Sequence, residues 1–203
     1  MENFYTVLVA NRGEIACRII RSAQKMGLRT VPIGDLVFED CFVPEENRLG
    51  KEGAGWSITI SSLEYDRCSI LASQLGAMEY QLESTIAFVK QRKQFGKSIG
   101  EFQSISNRIA NMKLRVETSR LLLYQVAWLK SQGKSAMMEA ALLKLNLSES
   151  FVASSMDAIR CHGGSGYLTE YEIERNLRDA VGGVIYAGTS DIQRNIISKT
   201  LGL

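Results

Sequence analysis

The sequence has only two prolines among its 203 residues, Pro32 and Pro44. Proline interrupts a helix because it has no backbone N–H group and its ring clashes with the preceding turn. No proline follows Pro44, so long uninterrupted helices are allowed over the last three quarters of the chain.

Cysteine pairs, long apolar runs and excess charge are also absent. The four cysteines are scattered without C-x-x-C spacing, and we interpret them as free thiols of a cytoplasmic protein. No run reaches the roughly 18 apolar residues of a membrane span. The formal net charge of +2 gives no indication of nucleic acid or membrane-surface binding. No metal site is predicted.

Apolar residues recur every three or four positions over four stretches, residues 56–93, 101–132, 135–160 and 190–201. This period is typical of helices that bury one face. Glycines mark short connections between the stretches, which favours antiparallel neighbours. The sequence therefore predicts a mainly α fold, an up-down four-helix bundle, in which the apolar stripes form the core. The predicted stripe of the third stretch consists of Leu142, Leu145, Val152, Met156 and Ile159.

The first 34 residues have a different pattern. A β-rich run at residues 6–10, a glycine turn, a helical stretch at 14–26 and a second β-rich run at 29–33 predict a βαβ-like segment. The sequence VLVANRGEIACRIIRSAQKMGLRTV resembles the opening of biotin carboxylases. The ATP-binding and catalytic residues of that family have no counterpart here, so ATP use is not predicted.

Residues 184–193, VIYAGTSDIQ, join an apolar run to the start of the last helix. Ser190 and Gln193 have the S-x-x-Q spacing of a capping box, which predicts a helix N-terminus at Ser190. Such an N-terminus suits an anion or a polar ring edge. Taken alone, the stretch is also typical of an ordinary turn and cap.

Two motifs extend this pattern into a resemblance. Y-x-G-T-S-x-I-Q-R resembles the closing signature of acyl-CoA dehydrogenases, and DLVFEDCFVPEENRLGKEGAGW resembles the last strand and linker before their C-terminal helical domain. The predicted domains are residues 1–34, like biotin carboxylase, 35–54, a strand and linker, and 55–203, the helical domain. The chain is interpreted as a chimera. The family carries further domains before this point, so we expect impaired catalysis.

The resemblance implies FAD-dependent α,β-dehydrogenation of an acyl thioester on CoA or a carrier protein. A base removes the α-proton and a hydride leaves the β-carbon for the flavin. Most members carry a catalytic Glu where this chain has Ala187. Other members carry it on the first long helix before an Arg, which here corresponds to Asp66 and Arg67. Asp66 is the predicted base, and Arg67 and Tyr186 are predicted substrate contacts.

Two alternatives remain for this part of the helix. Asp66 and Arg67 also fit a solvated charge pair, and Glu64 is a second candidate base. Aspartate is one methylene shorter than glutamate, so Asp66 is expected to be slower by about tenfold if its geometry is misplaced.

The resemblance also implies an FAD site, shared with a neighbouring subunit in a homodimer or homotetramer. RKQFGKSIGEFQ resembles the family's R-x-x-F-G motif, and CHGGSGY resembles its Q-x-x-G-G-x-G-Y loop, with Arg160 in place of the Gln and His162 read as structural. The cofactor-binding residues that these motifs and the last turn imply are Arg92, Phe95, Gln103, Gly163, Gly164, Thr189 and Asp191.

The wording of the motifs is nearest to members that act on carrier-protein-bound substrates such as prolyl thioesters. The alternative to an enzyme is a non-catalytic helical module that oligomerises. A bound flavin would favour the first reading, and a colourless, stable oligomer would favour the second.

Overall fold

The computed structural model describes residues 6–9, 21, 22, 25, 29–32, 42 and 44–203. The chain divides into two compact units, Met1–Lys51 and Glu52–Leu203. Within the described residues, no helix has both the length and the apolar character that a bilayer crossing requires.

The first unit contains two strands, β1 (Thr6–Val9) and β2 (Arg29–Pro32), which pair in parallel with Thr6 opposite Arg29. A parallel pair needs a crossover connection, and the described positions between the strands, Arg21, Ser22 and Lys25, are helical. Both predicted strands are confirmed. The predicted strand near residues 36–42 lies outside the described residues except for Phe42, which is exposed and has no regular structure.

The second unit is helical, as the sequence predicts. Its helices are α1 (Gly55–Gln91), α2 (Gln103–Ser131), α3 (Met137–His162), α4 (Ile173–Ile185) and α5 (Ser190–Thr200). The sequence prediction missed α4. The sequence pattern places its last residues, Val184 and Ile185, in a separate apolar run, because the pair Gly182 and Gly183 weakens the helical pattern before them.

A small hairpin connects α1 to α2. Strands β3 (Lys93–Gln94) and β4 (Lys97–Ser98) pair antiparallel around Phe95 and Gly96, whose φ angles are 53° and 80°. Two positive φ angles define a type I′ turn, the turn that matches the twist of a two-residue hairpin. The Ser98 hydroxyl donates to the Val89 carbonyl at 2.7 Å, which fixes the hairpin to the end of α1.

The core lies where α1, α2 and α3 meet. The predicted stripes of α1 and α2 are largely buried. The predicted stripe of α3 is confirmed in part: its members are partly buried, and two of them pack against the core. The fully enclosed residues of α3 lie on a neighbouring face and include Leu143, Leu147, Phe151 and Ala158. Helix α3 packs against every other helix of the unit, so it buries residues around most of its circumference.

A carboxylate joins α2 to α3 near the surface of this core. Asp157 accepts hydrogen bonds from Arg108 and Arg115, both at 2.8 Å. Burial alone would raise the pKa of Asp157, but the hydrogen bonds and charges of Arg115 and Arg108 together hold it below its ordinary value.

Candidate active site

The turn between α4 and α5 has an unusual backbone. Ala187 and Gly188 have φ angles of 52° and 90°. An L-residue in the left-handed region costs roughly 1 to 2 kcal/mol, so Ala187 is held there by its surroundings. A Cβ atom at residue 188 would lie 2.7 Å from Gln193 Nε2, so glycine is required at this position.

Three side chains hold this turn by hydrogen bonds. Arg67 Nε donates to the Ala187 carbonyl at 3.2 Å, and Gln193 Nε2 donates to the carbonyls of Ala187 at 3.3 Å and Gly188 at 3.0 Å. Gln74 Nε2 donates to the Tyr186 hydroxyl at 2.5 Å. The two predicted substrate contacts, Arg67 and Tyr186, therefore bind protein groups of the turn and of α1 in this structure.

The predicted start of α5 at Ser190 is confirmed, but the helix is capped differently from the sequence prediction. The N-cap is Thr189, whose hydroxyl accepts from the Ile192 amide at 3.4 Å. Ser190 is the first helical residue, and its hydroxyl donates to Glu149 Oε1 at 2.6 Å. The predicted capping box at Ser190 and Gln193 is wrong, because Ser190 bonds to Glu149 of α3 and Gln193 bonds to the carbonyls of the preceding turn.

The predicted cofactor contacts of this turn lie on its outer side. Thr189 and Asp191 are exposed, and Asp191 accepts a hydrogen bond from Arg194 at 2.7 Å. The first backbone bond of α5 runs from the Gln193 amide to the Thr189 carbonyl at 3.0 Å. The amides of Ser190 and Asp191 precede that bond, so they are donors that a helix leaves to outside partners.

Asp66 and Glu64 have opposite environments. Asp66 is exposed, and it forms no ion pair within the part of the chain that the structure describes. Glu64 is 7% exposed, and its carboxylate accepts from Lys130 Nζ at 2.8 Å and from the Ala136 amide at 3.3 Å. Its hydrogen bond raises the pKa of Lys130. Glu64 thus anchors the N-terminus of α3 and is not available as a base.

Replacing Glu64 by glutamine is expected to lower the free energy of unfolding by about 2 kcal/mol, because the Lys130 ammonium loses its charged partner. Urea denaturation at neutral pH measures the change. Glu172→Gln is the matched control: Glu172 pairs with Arg175 on an exposed face. That control should cost less than about 0.5 kcal/mol. Equal costs for the two variants would contradict the anchoring role of Glu64.

A second group of predicted residues lies at the far end of α1. Arg92, Phe95 and Gln103 are exposed around the hairpin, and Phe95 has 92% of its surface accessible. The Phe95 ring approaches that of Phe102 edge-on at 6.2 Å, and Lys97 Nζ lies 4.3 Å from the centre of the Phe102 ring. The hairpin thus presents aromatic and cationic groups together.

The glycine loop lies at the same end of the unit. His162, at the end of α3, stacks on Phe88 of α1 with ring centres 4.1 Å apart, and its Nδ1 contacts the Ala158 carbonyl at 2.8 Å. Burial lowers the pKa of His162. A Cβ at Gly163 or Gly164 would meet no atom within 4 Å, so this backbone is open to an approaching molecule.

The cleft beside His162 has a volume of about 380 Å³ and lies between α1 and α4.

Of the predicted free thiols, Cys68 and Cys161 are free, and Cys17 and Cys41 lie outside the described residues. Burial raises the pKa of Cys161 to about 11, so its thiol is inert at neutral pH. The described residues contain no cluster of three or more side chains that could hold a metal ion.

Two family profiles match the sequence. The profile of the acyl-CoA dehydrogenase C-terminal domain matches residues 53–202, and that of the biotin carboxylase N-terminal domain matches residues 3–36. The chain is 46% identical over 195 residues to L-prolyl-[peptidyl-carrier protein] dehydrogenase from Pseudomonas fluorescens. That alignment covers 96% of this chain and 51% of the relative, so it includes part of residues 3–36 as well.

Solved structures give the same result. The prolyl acyl carrier protein oxidase AnaB superimposes with a TM-score of 0.79 and 47% identity, over 81% of this chain and 44% of that one. PigA with FAD and proline superimposes with a TM-score of 0.79 and 43% identity, over 82% and 43% of the two chains. The chain belongs to the acyl-CoA dehydrogenase family. It spans about half the length of the relatives it matches.

Proposed function

We propose that this protein is an FAD-dependent oxidoreductase that dehydrogenates an acyl thioester between its α and β carbons. Family membership supports the class of reaction. The observation that carries the proposal is the turn at residues 186–189. Arg67, Gln74 and Gln193 hold this turn by hydrogen bonds, and the free amides at the start of α5 follow it directly. Rigid backbone donors at a helix N-terminus suit a polar ring edge or a carbonyl oxygen.

The proposed base is Asp66, the residue directly before Arg67, whose side chain holds the turn. Its exposed carboxylate removes the α-proton, and Arg67 keeps the turn in place rather than contacting substrate directly. The chemistry that FAD supplies when bound is acceptance of the hydride from the β-carbon. Thr189 and Asp191 would meet the isoalloxazine edge. The substrate class extends to aminoacyl groups on carrier proteins, as the name of the Pseudomonas relative suggests.

The distance between the two groups of candidate residues supports a shared site. Asp66 and Arg92 are 26 residues apart along or just beyond α1, or roughly 39 Å at 1.5 Å per residue. This exceeds the length of an extended FAD molecule. We infer that Arg92, Phe95, Gln103, Gly163 and Gly164 bind the adenine dinucleotide half of an FAD whose ring lies in a neighbouring copy.

Such sharing requires a homodimer or homotetramer. Phe95 supports this, because a phenylalanine with 92% of its surface accessible buries apolar area when a partner covers it. The free thiols of Cys68 and Cys161 fit the proposed cytoplasmic location. The interpretation of the chain as a fusion, with boundaries near residues 34 and 54, remains part of the proposal.

The visible absorption spectrum of the protein purified without added cofactor tests the proposal. We expect a flavin band near one equivalent per chain, in a species that light scattering identifies as an oligomer.

Arg92→Gln should weaken FAD binding about 10- to 100-fold through loss of charge-assisted bonds to phosphate. Arg48→Gln, an exposed arginine paired with Glu45, is the control and should not change binding. A colourless protein that also fails to bind added FAD would refute the enzymatic proposal.

A non-catalytic oligomerisation module is the second candidate. One face of α2 carries a row of large exposed side chains, Leu114, Leu121, Tyr124 and Trp128, each at least 56% accessible. Their spacing places them along one stripe, as in helices that pack against a partner. A colourless but stable oligomer, dissociated by Leu121→Asp, would favour this second function.

A further inference from the structure

Three arginines share one carboxylate where α2 packs against α3. Arg108 Nη1 lies 2.8 Å from Oδ1 of Asp157, and Arg160 Nη1 lies 3.5 Å from the same oxygen. Arg115 Nη1 lies 2.8 Å from Oδ2. Because the three guanidinium groups meet at the two oxygens of one side chain, they are close neighbours. This arginine cluster therefore places three positive charges around a single negative charge.

Other arginines of the helical unit have as many carboxylates as they need. Arg175 pairs with Glu172 alone, and Arg120 contacts two glutamates. Within the part of the chain that the structure describes, the only carboxylate at ion-pair distance from the arginine cluster is that of Asp157. The described residues thus leave two of its three positive charges uncompensated.

The cluster also keeps most of its hydrogen-bond donors. A guanidinium group has five N–H donors in one plane. Among the described residues, each of the three arginines contacts Asp157 through Nη1 only, which leaves Nη2 and Nε for other partners. The three side chains are between 27% and 54% exposed, so a molecule from outside reaches these donors.

Charge and shape together select the chemistry of a ligand for this cluster. Planar guanidinium groups match the oxygens of a phosphate, often through two parallel hydrogen bonds. A phosphate monoester carries about two negative charges at neutral pH, and a diphosphate group carries at least as many. Two uncompensated positive charges therefore suit a phosphate better than a single carboxylate.

Asp157 gives the cluster a fixed geometry before any ligand arrives. It is buried, and it bonds two arginines of α2 that lie two helical turns apart, together with one arginine in the last turn of α3. Side chains that are already ordered lose less entropy when they bind a ligand. A carboxylate at the centre of the cluster is thus compatible with anion binding, because it aligns the donors and offsets only one of three charges.

We propose that Arg108, Arg115 and Arg160 form a binding site for a doubly negative phosphate group, with Asp157 as the residue that positions them. Two sources of that group fit the location. Arg160 lies three residues before Gly163 of the glycine loop, so the phosphates of a bound dinucleotide are one source. A phosphate on a different molecule is the other. Only the first source rests on the proposed function.

Titration calorimetry with inorganic pyrophosphate tests the site, on the full chain after removal of any flavin and at constant ionic strength. We expect saturable binding of one pyrophosphate per chain, with a dissociation constant on the order of 0.1 mM. Arg108→Gln and Arg160→Gln should each weaken binding about tenfold, because each removes charge-assisted hydrogen bonds to phosphate. Arg175→Gln, an exposed arginine with its own partner Glu172, is the control and should not change the affinity.

Arg160→Gln separates phosphate binding from a purely structural role of the cluster. Its side chain is the most exposed of the three, and its contact with Asp157 is the longest, so its loss should leave the urea midpoint unchanged. Arg160→Lys keeps the charge but not the planar fork, and its affinity should be intermediate. No saturable binding, or an affinity of Arg160→Gln equal to that of Arg175→Gln, would overturn the proposal.

The same titration on FAD-loaded protein identifies the source of the phosphate. If FAD abolishes pyrophosphate binding, and Arg160→Gln also weakens FAD, the cluster binds the phosphates of the dinucleotide. If FAD and pyrophosphate bind together, the cluster binds a phosphate of another molecule. A protein that binds pyrophosphate but never FAD would refute the proposed function and leave the phosphate site valid.

Discussion

Turnover of an acyl thioester by the FAD-loaded protein is expected to fall about 10²- to 10⁴-fold in Asp66→Ala, with the amount of bound FAD unchanged. The reason is that Asp66 is the exposed carboxylate next in sequence to Arg67, which bonds to the turn, whereas Glu64 is engaged by Lys130 and Ala136. Single-turnover bleaching of the flavin band measures the chemical step, and the same spectrum before substrate addition reports FAD content.

Two further variants make the Asp66 test specific. Asp66→Asn keeps the shape and the surface but removes the base, so it should be as slow as Asp66→Ala. Asp66→Glu extends the carboxylate by one methylene, and it should restore or exceed the original rate by up to about tenfold if reach limits the aspartate. Unchanged turnover in both Asp66→Ala and Asp66→Asn would remove Asp66 from the mechanism.

The sequence identified the candidate base by resemblance, but it could not separate Asp66 from Glu64 by environment. Two carboxylates that lie two positions apart project in different directions from a helix, and their burial depends on what packs against each direction. Here α3 begins against the Glu64 side, so its first amide and Lys130 satisfy that carboxylate. Such long-range contacts leave no local signal in the sequence.

The same limit explains the errors in the helices. Periodicity finds one apolar face, so it worked for α1 and α2, which each have a solvent side. It found only part of the buried surface of α3, where Lys144, Ser148 and Ser155 are buried together with the apolar residues. The predicted capping box failed for a related reason. Ser190 bonds to Glu149 and Gln193 bonds to a carbonyl of the turn, so neither side chain caps the helix. The hydrogen bonds of the turn at residues 186–189 therefore could not be predicted from local sequence rules.

Replacing Lys144 by methionine is expected to raise the free energy of unfolding at about pH 7 by about 2 to 3 kcal/mol. Methionine has nearly the same length and needs no hydration, so the core keeps its packing. Burial and the positive charge of Arg67 lower the folded-state pKa of Lys144 to about 8, below the 10.5 of an ordinary lysine. The unfolded chain therefore binds more protons between these values, and the stability contributed at this site rises with pH across that window.

The difference between the two proteins should accordingly shrink from about pH 8 upward and nearly vanish above about pH 10.5. Comparing the proteins is necessary, because burial raises the pKa of Tyr186 and of Cys161, and those groups make both proteins less stable at high pH. Urea denaturation at several pH values measures the difference, with Lys113→Met as the exposed control. A constant difference would mean that Lys144 stays charged throughout, or that methionine acts through packing alone.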